Sequence, residues 1–254
     1  MVLSAENISS YLNHKADIYY FDTIDSTNNE AKRNSHKLAD TPLLYVADQQ
    51  SAGRGRLGRT FYSPSDTGLY MSLMLKADTQ TQDIVCMTTA VAVCVCEALE
   101  ELCNIKPMIK WVNDIYIDNK KVCGILCEAV TDPLSFSING IIIGIGINIR
   151  TTDFPIELKD TATSLGQAIN RNHLCALITD KIIESYKTIS TRCFIDKYKE
   201  RSLVLNKHIN YIENNEQKTA TAIDIDSNGG LVIETENGIK SLSTGEITVR
   251  LKND

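Results

Sequence analysis

The chain has 254 residues and a formal net charge of −6, with 43% hydrophobic residues. That length holds one large domain or a main domain with a small companion, and the apolar content supplies a sizeable core. An acidic chain lacks the broad basic face that general nucleic-acid coating needs, and its low Gly and Pro counts argue against extended disorder.

Met1 to Ser10 has no basic region followed by an apolar stretch, so the sequence predicts no secretory signal. Ile18 to Phe21 is a short strand candidate. Asp25-Ser26-Thr27-Asn28-Asn29-Glu30 then opens a helix running to about Lys37. Thr27 and Glu30 have capping-box spacing, which makes Thr27 the expected cap. Ser26, Thr27 and Asn28 also supply hydroxyl and amide groups beside exposed backbone donors, suited to a small neutral group such as a urea or amide. Capping alone accounts for the same residues.

Leu43 to Asp48 reads as a strand that leads through Gln50 into Gly53-Arg54-Gly55-Arg56-Leu57-Gly58-Arg59. Glycine lets backbone N–H groups approach a ligand closely, and arginine offers a planar fork of donors for carboxylate or phosphate oxygens. The segment fits a loop that wraps a small anion; a flexible basic surface loop has the same composition. Gln50 can donate and accept at once. Phe61 and Tyr62 follow, placed either to stack on a nucleobase or to pack into the core.

Leu69 to Leu75 is a further strand, and Ile84 to about Leu102 a helix buried on most sides. Thr88, Thr89 and Glu97 interrupt that helix, which is too short to span a membrane comfortably. The eight cysteines fall mostly in apolar runs, with no CxxC pair and no zinc spacing. They are expected to be reduced buried thiols of a cytoplasmic protein.

Met108 to Val112, Ile115 to Ile117 and Lys121 to Val130 read as strands, the last two joined by a turn at Asp118-Asn119-Lys120. Asn113 and Asp114 interrupt this β-rich stretch beside Lys110, as a turn or bulge or as ligands reaching a bound group or Mg²⁺. Lys121 is a surface lysine or a phosphate contact at a hairpin end. Phe136 to Ile149 is strongly β-like. Its Gly144-Ile145-Gly146-Ile147-Asn148 lacks the third glycine of a dinucleotide fingerprint and suits a flat ligand lying on the backbone.

A helix-rich stretch follows from about Leu174 to Lys199. Beyond it come five short strand candidates: His208 to Glu213, Thr219 to Asp226, Leu231 to Glu236, Ile239 to Ser243 and Glu246 to Leu251. Turn signals separate them at Asn228-Gly229-Gly230 and Asn237-Gly238. They predict a small β-barrel appended to the main domain, with residues 1–204 as one unit and 205–254 as the other.

The order and spacing of DSTNNEA, QSAGRGRLGR, KWVND, KVCGI, GIGIN and GEITVR resemble the bacterial biotin protein ligase family from about Ile18 to Arg250. The resemblance implies an α+β fold: a mixed β-sheet packed with helices, related to class II aminoacyl-tRNA synthetases, with a C-terminal SH3-like barrel. It implies formation of biotinyl-5′-AMP from biotin and ATP with Mg²⁺, then transfer of biotin to a lysine of a biotin carboxyl carrier domain. By resemblance, biotin is held by Ser26, Thr27, Asn28, Gln50, Arg54, Gly55, Arg56, Lys121, Gly124 and Leu126. The nucleotide is held by Arg56, Arg59, Phe61, Lys110, Asn113, Lys121, Asn148 and Arg250, with Gly144 and Gly146 in the floor. Arg54, Arg56, Lys121 and Asp114 are the expected catalytic group, with Asp114 also the expected Mg²⁺ ligand. Phe61 stands where the family often has tryptophan, and Val112 where it usually has proline. Only about twenty residues precede the first core strand, so no DNA-binding domain is expected, and no membrane partner. The chain is compatible with a homodimer. A lipoate ligase is the nearest enzyme alternative. A non-catalytic biotin sensor and an RNA-binding protein using the Arg/Gly loop are the others.

Overall fold

The protein is described by a computed structural model covering residues 2–77, 81–131, 137–213, 216–243 and 250–251. Helix α1 (Ala5–Ser9), which the sequence did not announce, starts at Ser4, whose Oγ accepts the Asn7 N–H. Seven strands form the main sheet: β1 (Asp17–Ile24), β2 (Leu43–Gln50), β3 (Gly68–Lys76), β4 (Met108–Lys110), β5 (Asp114–Ile117), β6 (Lys120–Thr131) and β7 (Ile138–Asn148). Their order is β1-β2-β3-β7-β6-β5-β4. Strands β1 and β2 are parallel, which requires a crossover, and helix α2 (Thr27–Arg33) provides it. All other neighbours are antiparallel. The sheet and its covering helices make the mixed α+β class that was expected.

The central strands β3 and β7 are buried nearly end to end, because both faces of the sheet are covered. Alternation along β2 shows how. Leu44 and Val46 join the large core built around helices α4 (Met87–Cys103) and α5 (Arg171–Lys187), while Leu43 and Tyr45 face a smaller cluster with Ala31 of α2. The single helix expected from Ile84 is broken at Cys86, between α3 (Thr81–Val85) and α4. The helix expected to reach Lys37 ends at Arg33, followed by a separate 3₁₀ turn at Ser35–Lys37. Asp118 and Asn119 both take positive φ, as a tight β5–β6 turn demands. Among the described residues, no helix is long and apolar enough to cross a membrane.

After α6 (Phe194–Glu200), the C-terminal strands are β8 (His208–Glu213), β9 (Glu216–Ile225), β10 (Leu231–Thr235), β11 (Gly238–Leu242) and β12 (Arg250–Leu251). They form a second, antiparallel sheet in the order β11-β10-β9-β8-β12. Of the GEITVR motif, and of the strand expected from Glu246, only Arg250 and Leu251 lie within the described residues, and Phe136 also lies outside them. The two sheets share one continuous apolar core that includes Ile209, Tyr211, Ala222, Ile225, Leu231 and Ile233. Buried Trp111 of the main domain donates its indole N–H to Gly229 O, 3.0 Å away in the β9–β10 turn.

Among the described residues no disulfide forms, and Cys193 is exposed while Cys86, Cys94, Cys96, Cys123 and Cys175 are buried. Burial pushes the Cys94 and Cys127 thiols up to about 12, and raises Cys86, Cys96, Cys103, Cys123 and Cys175 as well. Thiolate is the reactive form, so these groups should be inert in the native state. At about pH 8, a disulfide-exchange reagent should titrate one thiol rapidly in the folded protein and all eight after unfolding. Rapid reaction of three or more native thiols would contradict this packing.

Candidate functional site

One cleft opens on the face of the sheet where β2, β6 and β7 meet the start of α2. It holds about 360 Å³, within the range of small-molecule sites. Ser26, Thr27, Asn28, Gln50, Arg54, Gly55, Arg56, Arg59, Phe61, Lys110, Asn113, Asp114, Lys121, Gly124, Leu126, Gly144 and Gly146 all line it. Five of the six sequence motifs that carried the expectation, with lining residues separated by up to 120 positions, therefore converge on one place.

The polar end is built on the N-terminus of α2. Ser26, not Thr27, is its cap: Ser26 Oγ accepts the Asn29 N–H at 3.5 Å. Thr27 is freed for another task. Its N–H and hydroxyl reach Gln50 Oε1 at 2.9 and 3.2 Å, and Gln50 Nε2 donates to Ser63 Oγ at 3.0 Å. Ser72, the one serine in the apolar run of β3, stands 2.7 Å from Thr27 Oγ1 and 2.6 Å from Asn28 Oδ1. Ser26, Thr27, Asn28 and Ser72 are all buried. Two hydroxyl protons serve the three contacts Gln50–Thr27, Thr27–Ser72 and Ser72–Asn28, so the network retains acceptor capacity for an incoming N–H.

Glycine makes this arrangement possible. A Cβ at Gly144 would lie 2.0 Å from Asn28 Oδ1, and one at Gly146 would lie 2.5 Å from the Phe61 ring. Phe61 rests on the glycine floor, and a Cβ at Gly124 would touch both Phe61 and Lys121 at 3.2 Å. Phe61 also meets Tyr70 edge to face at 6.4 Å. It is thus part packing residue, part cleft wall.

The Gly/Arg loop folds back on itself: Gly55 N–H donates to Arg59 O at 2.7 Å and Phe61 N–H to Gly53 O at 2.8 Å. Leu57 and Gly58 take positive φ at its tip, where Leu57 is exposed. Arg54 forks onto Glu128, with contacts of 2.8 and 3.0 Å. Arg56 donates to Asn113 Oδ1 at 3.2 Å, and burial lowers its affinity for a proton. Asn113 is fixed in turn by donating to Ile125 O at 2.8 Å.

The cationic end is completed by Lys121, whose Nζ is 2.7 Å from Asp114 Oδ1. That oxygen is buried, and the ammonium beside it holds the pair together by charge and proximity. Lys110 lies over the Tyr116 ring, 5.3 Å from its centre. Burial, reinforced by the Asp114 charge, pushes the Tyr116 hydroxyl up to about 12. The far rim is a strap in which Lys121 N–H donates to Thr161 O at 2.9 Å and Thr163 N–H to Lys121 O at 2.8 Å.

Two expected residues stand differently. Asn148 does not line the cleft: its Nδ2 donates to Thr163 O at 3.1 Å and its backbone carbonyl accepts the Leu165 N–H, so it anchors the strap. The Arg250 side chain lies outside the described residues. Residues that the sequence reading missed are Ser72, Trp111, Tyr116, Glu128 and the strap residues Leu158, Thr161 and Ala162. Glu128 was discoverable, because it follows Gly124 and Leu126 at a period of two on β6. The irregular strap carried no such signal.

Residues 20–148 match the model of the biotin/lipoate A/B protein ligase family, and residues 204–250 match the biotin protein ligase C-terminal domain. The bifunctional ligase/repressor BirA of Bacillus subtilis is 35% identical over 239 residues, covering 91% of this chain and 73% of that protein. The biotin–[acetyl-CoA-carboxylase] ligase of Mycobacterium tuberculosis is 25% identical, covering 87% and 85%. The Aquifex aeolicus biotin protein ligase, solved in complex with biotin and ATP, superposes with a TM-score of 0.77 at 30% identity, covering 93% of this chain and 99% of that one.

The close approach at Gly144 gives a test independent of activity. Gly144→Ala should destabilise the chain by about 1–3 kcal/mol in urea, because Asn28 must move or the strands must part. In an Asn28→Ala background the same change should cost less than about half as much. Equal costs in both backgrounds would show that Asn28 does not lie against this glycine.

Proposed function

The chain belongs to the biotin/lipoate A/B protein ligase family, and we propose that this cleft is where it joins biotin to ATP. The protein is a biotin protein ligase: it forms biotinyl-5′-AMP and passes biotin to a carrier protein. The observation that carries the placement is the meeting, in one cleft, of a urea-sized hydrogen-bonding cluster at Thr27, Asn28 and Gln50 with a cationic end at Arg56 and Lys121. The ureido ring of biotin offers two N–H donors and a carbonyl, which suits the retained acceptor capacity of the cluster.

The residues divide the chemistry as follows. The biotin carboxylate attacks the α-phosphorus of ATP, a P–O bond forms and pyrophosphate leaves. Both reactants are anionic, so the guanidinium of Arg56 and the ammonium of Lys121 offset the repulsion and stabilise charge that develops in transfer. Phe61, resting on Gly124 and Gly146, offers a ring face to the adenine, and Lys110, Asn113 and Arg59 frame the nucleotide. The Gly/Arg loop excludes water from the mixed anhydride. A carrier lysine then attacks the acyl carbon, AMP leaves, and Asp114 is placed to orient the amine or take its proton. Asp114 also places a carboxylate at the cationic end of the cleft, the donor type that Mg²⁺ commonly takes once or twice together with substrate phosphates. When bound there, the ion would neutralise phosphate charge. The acceptor is a lysine of a biotin carboxyl carrier domain, and residues 205–254 form a separate unit docked on the catalytic domain of residues 1–204.

Incubation with ATP, Mg²⁺, biotin and a carrier domain should add one biotin to one carrier lysine, read by mass spectrometry, and lipoate should not substitute. Lys121→Ala should slow single-turnover adenylation by about tenfold or more, with a smaller loss of biotin affinity. Lys120 is the internal control, because it does not line the cleft and its Nζ donates to Lys159 O at 3.1 Å. Equal, mild effects of the two alanines would remove Lys121 from the reaction.

A further inference from the structure

Glu128 sits on β6 two residues beyond Leu126, on the same face of the strand as Gly124 and Leu126. Its side chain is about one-fifth exposed, and both carboxylate oxygens are in use. Oε1 accepts from Arg54 Nη2 at 3.0 Å, and Oε2 accepts from Arg54 Nη1 at 2.8 Å and from Asn28 Nδ2 at 3.0 Å. One carboxylate therefore holds the Gly/Arg loop with one hand and the polar cluster with the other.

The connection continues in both directions. From Asn28 it passes to Ser72, Thr27 and Gln50, and through Ser63 to the carbonyl of Phe61. Phe61 N–H donates back to Gly53 O, and Arg54 and Thr60 form a bridge across the loop. The two ends of the loop are thus tied through a closed circuit that runs under the place proposed for the biotin ring. Gly144 is part of this, because a side chain there would occupy the position of Asn28 Oδ1, the atom through which Asn28 meets Ser72.

We infer that Glu128 is a positioning residue that couples seating of the ligand ring on the Asn28 cluster to closure of the Gly/Arg loop through Arg54. Ligand that fixes Asn28 also fixes the Glu128 carboxylate, and a fixed carboxylate holds the Arg54 fork in one geometry. Without Glu128, Arg54 keeps only its 3.2 Å bond to Asn29 Oδ1 on the α2 side, and the charged link between the loop and Asn28 is lost. The inference rests on the reading that the cluster takes the ring of biotin.

The test compares the full-length protein with Glu128→Ala, Glu128→Gln, Arg54→Ala and the Arg54→Ala/Glu128→Ala double variant. Biotin affinity is measured by calorimetry, and amide exchange is followed at residues 26–29 and 53–60. In the unaltered chain, biotin should raise protection at both segments. In Glu128→Ala, protection should persist at 26–29 and be lost at 53–60, with biotin binding about tenfold weaker. Because Arg54 and Glu128 act as one unit, the double variant should bind within about twofold of the weaker single variant. Glu128→Gln keeps an acceptor for Asn28 and loses the charge facing Arg54, so it should show the same segregation with a smaller affinity loss; it carries the test should the alanine variant fail to fold. Retained loop protection in both Glu128 variants, or additive losses approaching a hundredfold in the double variant, would overturn the inference. Absence of any response at residues 26–29 in the unaltered chain would instead overturn the placement of biotin on which it rests.

Discussion

The cleft exists because three positions on neighbouring strands carry no side chain. Gly124 pairs with Gly146 across β6 and β7, and Gly144 pairs with Leu126 one step along. Every functional contact on this face depends on the resulting flat patch. Asn28 descends onto Gly144, Phe61 lies on Gly146, and Lys121 curls beside Gly124. Glycine in a strand normally weakens it through entropy and lost packing. Here the strands bear that cost in the most deeply buried part of the sheet, between β3 and β5, where long antiparallel ladders hold the backbone.

On that floor, two different chemistries are held apart. Near α2, neutral hydrogen bonds among Thr27, Gln50, Ser63, Ser72 and Asn28 hold the cluster together and leave acceptor capacity for a ligand. Near β5, Arg56 and Lys121 concentrate positive charge inside a chain that is acidic overall. Asp114 moderates that charge and keeps Lys121 in place by proximity. A neutral ring with an acidic tail matches this polarity from one end to the other. The C-terminal sheet reaches the same wall, since Trp111 lines the cleft and donates to Gly229 O.

Much of this was legible in the sequence, and the reasons are physical. Strand runs such as Leu69 to Leu75 and Ile141 to Ile147 are almost wholly apolar because both faces are covered, so their existence was plain and their ends nearly so. The loop and the KWVND segment were conspicuous because Gly, Arg, Asn and Asp interrupt β-rich sequence. Three features were not readable. Thr27 had capping-box spacing, yet Ser26 caps the helix because Thr27 turns to Gln50, a partner 23 residues away. The long helix broke at Cys86, where local pattern gives no signal. Asn148, beside two glycines, gave no sign that its Nδ2 and backbone carbonyl hold the 163–165 strap while its Oδ1 stays buried.

The central claim is that one continuous cleft holds the biotin ring at its neutral end and the nucleotide at its cationic end. Competition by a hydrolysis-resistant analogue of biotinyl-5′-AMP tests it most directly. Measured by calorimetry on the intact protein, one equivalent of analogue should abolish binding of both biotin and ATP. If either substrate still binds at full analogue occupancy, the two lie in separate sites and this account of the cleft is wrong.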